Sequence, residues 1–379
     1  MNKALIITSV ASMVDQFLLP SLFLLQEMEY DVHVACNFEK GNTCSAEQVE
    51  ELKRTLIDHE ITFYQVDFER NVLQLFHNVQ AYKQISTIIT THEFSLIHCH
   101  SPIGGLLGRL AARNARNKGT SVFYTAHGFH FYKGAPLKNW LFYYRVEKFC
   151  SRFTDKLITI NQEDYELAKR KFHAKETHYM PGVGVDLGRF ENVRVDKPTK
   201  RREIGVPEDA ILLLSVGELN ENKNHQIVIR ALAELNHPNV HYAIAGVGEK
   251  KEYLICLADK LGISDKIHLL GYRKDVAEIY KISDIYVLPS VREGLNVSLM
   301  EAMASKCPCL VSRIRGNIDL IDSNGGELFD PKSVMECVDK IRAMLGANHD
   351  NIGQYNSSKI RQFSLESVNV DVARIYRTK

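Results

Sequence analysis

Two carboxylates, Glu293 and Glu301, stand in one stretch, PSVREGLNVSLMEAMASKCPCLVS, over residues 289–312. Leu288-Pro289-Ser290 reads as the end of a strand and Gly294-Leu295 as a turn, and a helix opens near Asn296 or Val297 with Ser298 in its first turn. A helix start leaves backbone N–H groups unpaired and carries positive partial charge, which is what a diphosphate needs. Carboxylates do not help to hold phosphate, so their place beside it points to hydroxyl recognition, a sugar near Glu293 and a ribose near Glu301. Taken singly, the same residues read as a helix-start glutamate answering the dipole and an exposed helical glutamate. The whole stretch favours the ligand reading.

His127 ends a strand and precedes Gly128, a position from which an imidazole projects beyond a sheet; a hydrogen-bonded core histidine is the alternative. His130 follows on a loop and is a further acceptor-side candidate. His98, Cys99 and His100 end another strand, but strand side chains alternate in direction and no second ligand cluster exists, so no metal site is expected there and His100 is kept as an acceptor-side candidate. The loop after the first strand, SVASMVDQFLLP, lacks G-x-G-x-x-G, and the pairs Gly182/Gly184 and Gly246/Gly248 lack a third glycine, which argues against a dinucleotide cofactor. There is no G-x-x-x-x-G-K-[ST] and no DxD-like acidic cluster in a suitable loop.

The elements that must position these residues alternate along the chain. Strand candidates at 5–9, 32–36, 61–66, 96–100, 122–126 and 157–161 are separated by amphipathic stretches such as 46–57, 72–88 and 105–117, long enough for parallel crossovers. After a polar, proline-containing stretch over 192–210, a second series runs 211–217, 240–246, 267–271, 284–290 and 308–313. The expected fold is therefore α/β: two Rossmann-like doubly wound domains in tandem, residues 1–185 and 186–362, with ligands at a cleft and a helix near 363–379 returning to the first domain. Length, at 379 residues, agrees with two or three domains. The formal net charge of +1 disfavours nucleic acid as a partner. Eight scattered cysteines without a CxxC pair suit a reducing cytosol, no uncharged apolar run reaches about 18–20 residues, and the first residues read as a buried strand rather than a signal peptide.

The spacing from Glu293 to Glu301 inside EGLNVSLMEAMA resembles the E-x7-E signature of retaining, GT-B-fold glycosyltransferases of family 4. GELNENKNH (217–225), AGVGEKKEYL (245–254), GYRKDV (271–276), SRIRGNIDLI (312–321) and TAHGFHFYKG (125–134) fall in the family's order, and the bacterial exopolysaccharide and capsule branch is the most similar. The resemblance implies that Lys223 neutralises the donor diphosphate, that Gly217 and Gly246 belong to donor-side loops, that Arg273 or its backbone neighbours face the nucleobase, and that His127 touches the donor sugar. A solvated loop lysine and a surface turn are the plainer readings of Lys223 and Arg273. Glu218 stands where many members have arginine, and the glycine pair after the first strand is missing.

Residues 101–175 hold 14 Lys+Arg against five Asp+Glu, interleaved with Phe129, Phe131, Tyr132, Trp140, Phe142, Tyr143 and Tyr144. Such a surface suits an anionic leaflet and a lipid-diphosphate acceptor, or else is a solvated face over core aromatics. The expectation is a cytoplasmic enzyme, peripheral to the inner face of the membrane. It would move a sugar from a UDP-sugar, which is a substrate and not a cofactor, to a polyprenyl-diphosphate-linked saccharide, with retention and without a metal. A donor-binding scaffold subunit that has lost turnover and a nucleotide-sugar epimerase are the rival functions.

Overall fold

The computed structural model describes residues 2–69 and 75–377. Its strands form two sheets, parallel throughout. The first contains β1 (Asn2–Val10), β2 (Tyr30–Asn37), β3 (Thr62–Gln65), β4 (Leu96–His100), β5 (Ser121–Ala126), β6 (Lys156–Thr159) and β7 (Glu176–Tyr179), in the order β3-β2-β1-β4-β5-β6-β7. The second contains β8 (Ile211–Val216), β9 (Val240–Ala245), β10 (Ile267–Gly271), β11 (Ile285–Leu288), β12 (Cys309–Ser312) and β13 (Gly326–Phe329), in the order β10-β9-β8-β11-β12-β13. The strand order reverses between β1 and β4 and between β8 and β11, so each sheet has one crevice beyond its carboxyl ends. One compact unit runs up to Val183 and takes back the chain from Val368 on; the other is Gly184–Ser367. Both are Rossmann-like α/β units of the doubly wound kind. β7 and β13 had no sequence candidate: each is a four-residue edge strand with one neighbour, and ETHY carries no apolar alternation.

Crossover helices cover both faces. Ala46–Asp58 buries Val49, Leu52 and Leu56 and opens with a reciprocal Ser45/Gln48 cap. The 72–88 stretch appears as Leu75–Thr91, with its beginning outside the described residues. Pro102–Arg116 lies almost on the sheet because its buried face is built of glycines. A Cβ at Gly105 would stand 2.3 Å from the Tyr124 ring, and one at Gly108 2.6 Å from Cys99 Sγ. The same helix carries the fully buried Arg109, whose Nη2 donates to Glu147 Oε2 at 2.6 Å while its guanidinium lies 3.8 Å over the Tyr124 ring.

One sequence expectation needs correction. The segment after the first strand is not a loop: β1 leads directly into the helical Ala11–Met13, a wider π-type stretch Val14–Leu18 and the helix Leu19–Glu27, which bury Val14, Leu18, Leu22 and Leu25. Within the polar 192–210 stretch, Lys197–Glu203 forms a helix of the second unit. Its buried Arg201 donates to the carbonyls of Ala210 and Ile282 and to Asp284 at 2.7–2.9 Å. Among the described residues no helix is long and apolar enough to cross a membrane.

Candidate active site

In the second unit, β11 ends at Leu288 and the chain turns through Glu293-Gly294-Leu295 into the helix Val297–Ala304. Asn296 is its N-cap and accepts from Leu299 N at 3.1 Å. The amides of Val297 and Ser298 have no acceptor within the helix and face its open end. Ser298 Oγ lies 2.7 Å from Tyr286 Oη and 3.0 Å from Val216 O, which ties the first turn to the end of β8.

Against this helix start stands the loop after β8. Lys223 Nζ lies 2.8 Å from Glu293 Oε1, both side chains being largely but not wholly buried. Gly217 lets the lysine stem pass, since a Cβ there would come to 3.2 Å from Lys223 Cε. Gly246 lets β9 close on the same loop, because a Cβ would sit 1.8 Å from Gly217 O. Lys223, Glu293, Gly217, Gly246 and the residues 294–298 are thus one constellation. Glu301 is a turn further along the helix and is not an exposed carboxylate. Burial pushes its carboxyl above the usual range, and a hydrogen bond from Tyr280 Oη at 3.1 Å to Oε2 offsets part of that. Glu218 is exposed and accepts from Asn220 Nδ2 at 2.7 Å. Arg273 is held by other residues, with Nε donating to Asp275 at 2.8 Å and Nη2 to Glu203 at 2.5 Å.

In the first unit, a cavity of about 550 Å³ opens beyond the carboxyl ends of β1, β4 and β5; His127, His130, Ser9, Ser101, Tyr124 and Tyr143 are among its walls. Ser101 caps the helix Pro102–Arg116 by accepting from Gly104 N at 3.2 Å, and also accepts from Ser9 N at 3.1 Å. His130 stacks on Tyr143 with ring centroids 4.8 Å apart. His100 stands behind this cavity, buried, with Nδ1 3.2 Å from His127 Nε2. His98 is on the same face of β4, its ring centroid 4.1 Å from that of His100, whereas Cys99 points the other way against Gly108. Both nitrogens of His98 are occupied, Nδ1 by Tyr376 Oη and Nε2 by Thr125 Oγ1, each at 2.8 Å. Burial holds His127 down to about 4 and His98 to about 3, so both are neutral near pH 7. Among the described residues no group of three His, Cys, Asp or Glu is placed to hold a metal ion.

Some contributors had no single-residue signal. Asn222 and Asn224 pin the Lys223 loop by donating to Arg292 O at 3.0 Å and to Pro289 O at 3.2 Å. Arg315 Nε donates to Glu293 O at 3.2 Å and so fixes the turn that carries the carboxylate. The alternating asparagines of LNENKN were the one readable hint, because short amides at every second position are suited to bonding loop backbone. The basic, aromatic segment also resolves differently from its sequence reading. Phe129 and Phe131 are core residues, while Phe142 is exposed together with Leu137, Leu141 and Phe149.

Residues 196–358 match the family "Glycosyl transferases group 1", and residues 14–161 match "Glycosyl transferase 4-like". A Bacillus subtilis (strain 168) protein that carries the glycosyltransferase name EpsD is 39% identical over 318 residues, covering 83% of this chain and 79% of that one. The Escherichia coli UDP-Gal:alpha-D-GlcNAc-diphosphoundecaprenol alpha-1,3-galactosyltransferase is 27% identical over 94% of this chain and 89% of its own. Among solved structures, Anabaena HepE in complex with UDP-glucose superposes with a TM-score of 0.79 at 19% identity, over 99% of each chain. Lys223, Glu293 and Glu301 lie within the first matched segment and His98, His100, His127 and His130 within the second, and the chain belongs to the family 4 glycosyltransferases of GT-B fold and is a sugar-transferring enzyme.

Proposed function

We propose that the chain transfers a hexosyl or N-acetylhexosaminyl group from a UDP-sugar to a saccharide on polyprenyl diphosphate, with retention, in cell-surface polysaccharide synthesis. The Lys223–Glu293 pair at the open start of the helix Val297–Ala304 carries this reading. An ammonium and unpaired amides suit a diphosphate, a carboxylate beside them suits sugar hydroxyls, and Glu301 is left for the ribose. In the resting chain Lys223 and Glu293 neutralise each other. An arriving diphosphate takes over the lysine and frees Glu293 for the sugar. Charge developing on the leaving UDP is then met by groups already in place, so no metal is needed. The named Escherichia coli relative acts on a UDP-sugar and a diphosphoundecaprenol acceptor, and HepE binds UDP-glucose, which supports both partners of the reaction.

The acceptor's lipid calls for a membrane surface. Leu137, Leu141, Phe142 and Phe149 are exposed on the first unit among the exposed Lys133, Lys138, Arg145 and Arg152. Apolar side chains within a basic rim suit the inner, anionic leaflet.

Incubation with a panel of UDP-sugars and undecaprenyl-diphosphate-linked GlcNAc is expected to release UDP, to persist in EDTA, and to give a product whose new anomeric centre keeps the donor's configuration by NMR. Glu293→Gln should lower turnover about 10- to 100-fold, while affinity for UDP itself stays intact or rises because Lys223 no longer has to be taken from a carboxylate. Undiminished transfer by a folded Glu293→Gln chain removes the carboxylate from the mechanism. Vesicles containing anionic lipid should pellet the chain, and Leu141→Ser/Phe142→Ser should weaken that. Equal pelleting with neutral vesicles would speak against the leaflet reading.

A further inference from the structure

We propose that His100 is a positioning residue for transfer: backed by His98, Thr125 and Tyr376, it donates its Nδ1 proton to His127 and so presents His127 to the cavity as an Nδ1–H donor rather than a base. The proposal rests on the reading that this cavity receives substrate.

Tyr376, on the helix Leu365–Arg377, and Thr125, on β5, hold His98 at both ring nitrogens, so that ring cannot rotate. His98 lies against His100 at 4.1 Å between ring centroids and fixes the plane of the second ring. That plane aims His100 Nδ1 at His127 Nε2, 3.2 Å away. One of these two nitrogens bears the proton and the other accepts it. The opposite edge of His100 decides which, because Nε2 is buried and has no hydrogen-bond partner among the described residues. With the proton on Nε2, an N–H would be stranded in the interior. With the proton on Nδ1, only a bare ring nitrogen is left there. Orphaned buried N–H groups are the rarer outcome, so the proton belongs on Nδ1 of His100. His127 then accepts through Nε2 and, being neutral, carries its own proton on Nδ1. No other bond of His127 within the protein is found among the described residues, and its side chain walls the 550 Å³ cavity. An N–H in that place recognises a hydroxyl, a ring oxygen or a phosphate oxygen, and it takes no proton from the acceptor.

Long-range ¹H–¹⁵N correlation spectra of the full-length chain labelled with ¹⁵N-histidine test this directly, the His127 signal being identified by its loss in His127→Asn. Expected in the parent protein is a protonated Nδ1 and a bare Nε2 on His127. His100→Leu should redistribute the His127 proton and lower UDP release with the UDP-sugar panel about 10-fold or more, with calorimetric UDP affinity unchanged. His100→Asn, whose side-chain amide N–H can replace Nδ1–H, should restore both. A proton on Nε2 of His127 in the parent chain overturns the proposal, as does a His100→Leu chain that keeps both the parent tautomer and the parent turnover. Should His100→Leu fail to fold, the parent spectrum still decides. Full turnover in His127→Ala would instead refute the substrate reading of the cavity and leave the tautomer result standing.

Discussion

At the carboxyl end of β11, two opposite charges face each other at 2.8 Å beside an open helix start, on a backbone kept close by Gly217 and Gly246. At the carboxyl ends of β4 and β5, three imidazoles follow one another into the interior, and burial pushes the pKa of each down. The same fold thus makes one site from charge and backbone and the other from neutral rings and hydroxyls. A diphosphate is the same in every nucleotide sugar, so a site for it can rely on fixed charge. Saccharide hydroxyls both donate and accept, so neutral imidazoles and hydroxyls can meet them as well as a carboxylate can, and a site for them does not depend on fixed charge. If that contrast is right, changing charge at each site should have different consequences.

The largest effect is expected from Arg109, a fully buried ion packed on Tyr124, which walls the neutral site. Arg109→Leu leaves Glu147 inside the first unit with, among the described residues, only Tyr124 Oη, at 3.1 Å, to answer it. Stranding a buried charge costs about 3–5 kcal/mol, and denaturant titration should show it. Arg109→Leu/Glu147→Leu together should recover much of the loss. A double variant as unstable as the single one would mean that packing of the guanidinium over Tyr124, not charge, is what the pair supplies.

Lys223→Ala comes next. Removing one preorganised charge from a leaving group costs about 3 kcal/mol of transition-state stabilisation, roughly 100-fold in turnover. UDP affinity should fall with it, unlike in Glu293→Gln. Equal losses in both variants would show that the two residues serve the sugar together and that the contrast between phosphate and hydroxyl within this site is false.

The neutral site makes a third prediction, with sign. His127 titrates near 6.5 when unfolded and is held to about 4 by burial when folded. The unfolded chain therefore binds more protons between those values, and stability present above pH 6.5 is lost as pH falls toward 4. At pH 4.5 the loss from this one group is about 2 kcal/mol. The stability difference between the parent chain and His127→Gln, which cannot be protonated, should shrink or reverse by that amount from pH 7 to 4.5. A difference constant with pH would mean that the imidazole is better solvated than its surroundings indicate.

These sites were legible in the sequence to different depths. The charged one was largely readable, since its glycines, helix start and carboxylates all lie in short segments with local reasons for their residue types. What could not be read was that Arg273 donates to Glu203 as well as to Asp275, since Glu203 lies 70 positions away in sequence. The neutral site was only half readable. His127 at a strand end was evident, but His98, His100 and Tyr376 meet across 278 positions of sequence, and only tertiary structure brings Tyr376 to β4. Alternation along β4 separates Cys99 from the two histidines and puts those histidines on one face, but it does not tell which partners wait there. The fully buried strands were all found; of the edge strands β3 and β10 were found, while the four-residue β7, whose ETHY has no apolar alternation, and β13 were missed.

The smallest effect tests whether the charged site contains a second layer comparable to the histidines. Tyr280 Oη donates to Glu301 Oε2 at 3.1 Å and also lies 3.0 Å from Ser298 O. Tyr280→Phe keeps the ring that fills the core and removes only this donor. Glu301, already pushed up by burial, then loses the group that offsets the push, and its carboxyl should rise further. If Glu301 is what holds the ribose, UDP affinity should fall about 5-fold, or roughly 1 kcal/mol. The part of that loss that comes from protonation should grow as the pH is lowered and be returned as it is raised. A loss independent of pH would instead show that Tyr280 acts by orienting Glu301, which would make the two sites alike in this respect: each would present its ligand-facing group through a buried partner that never meets the ligand.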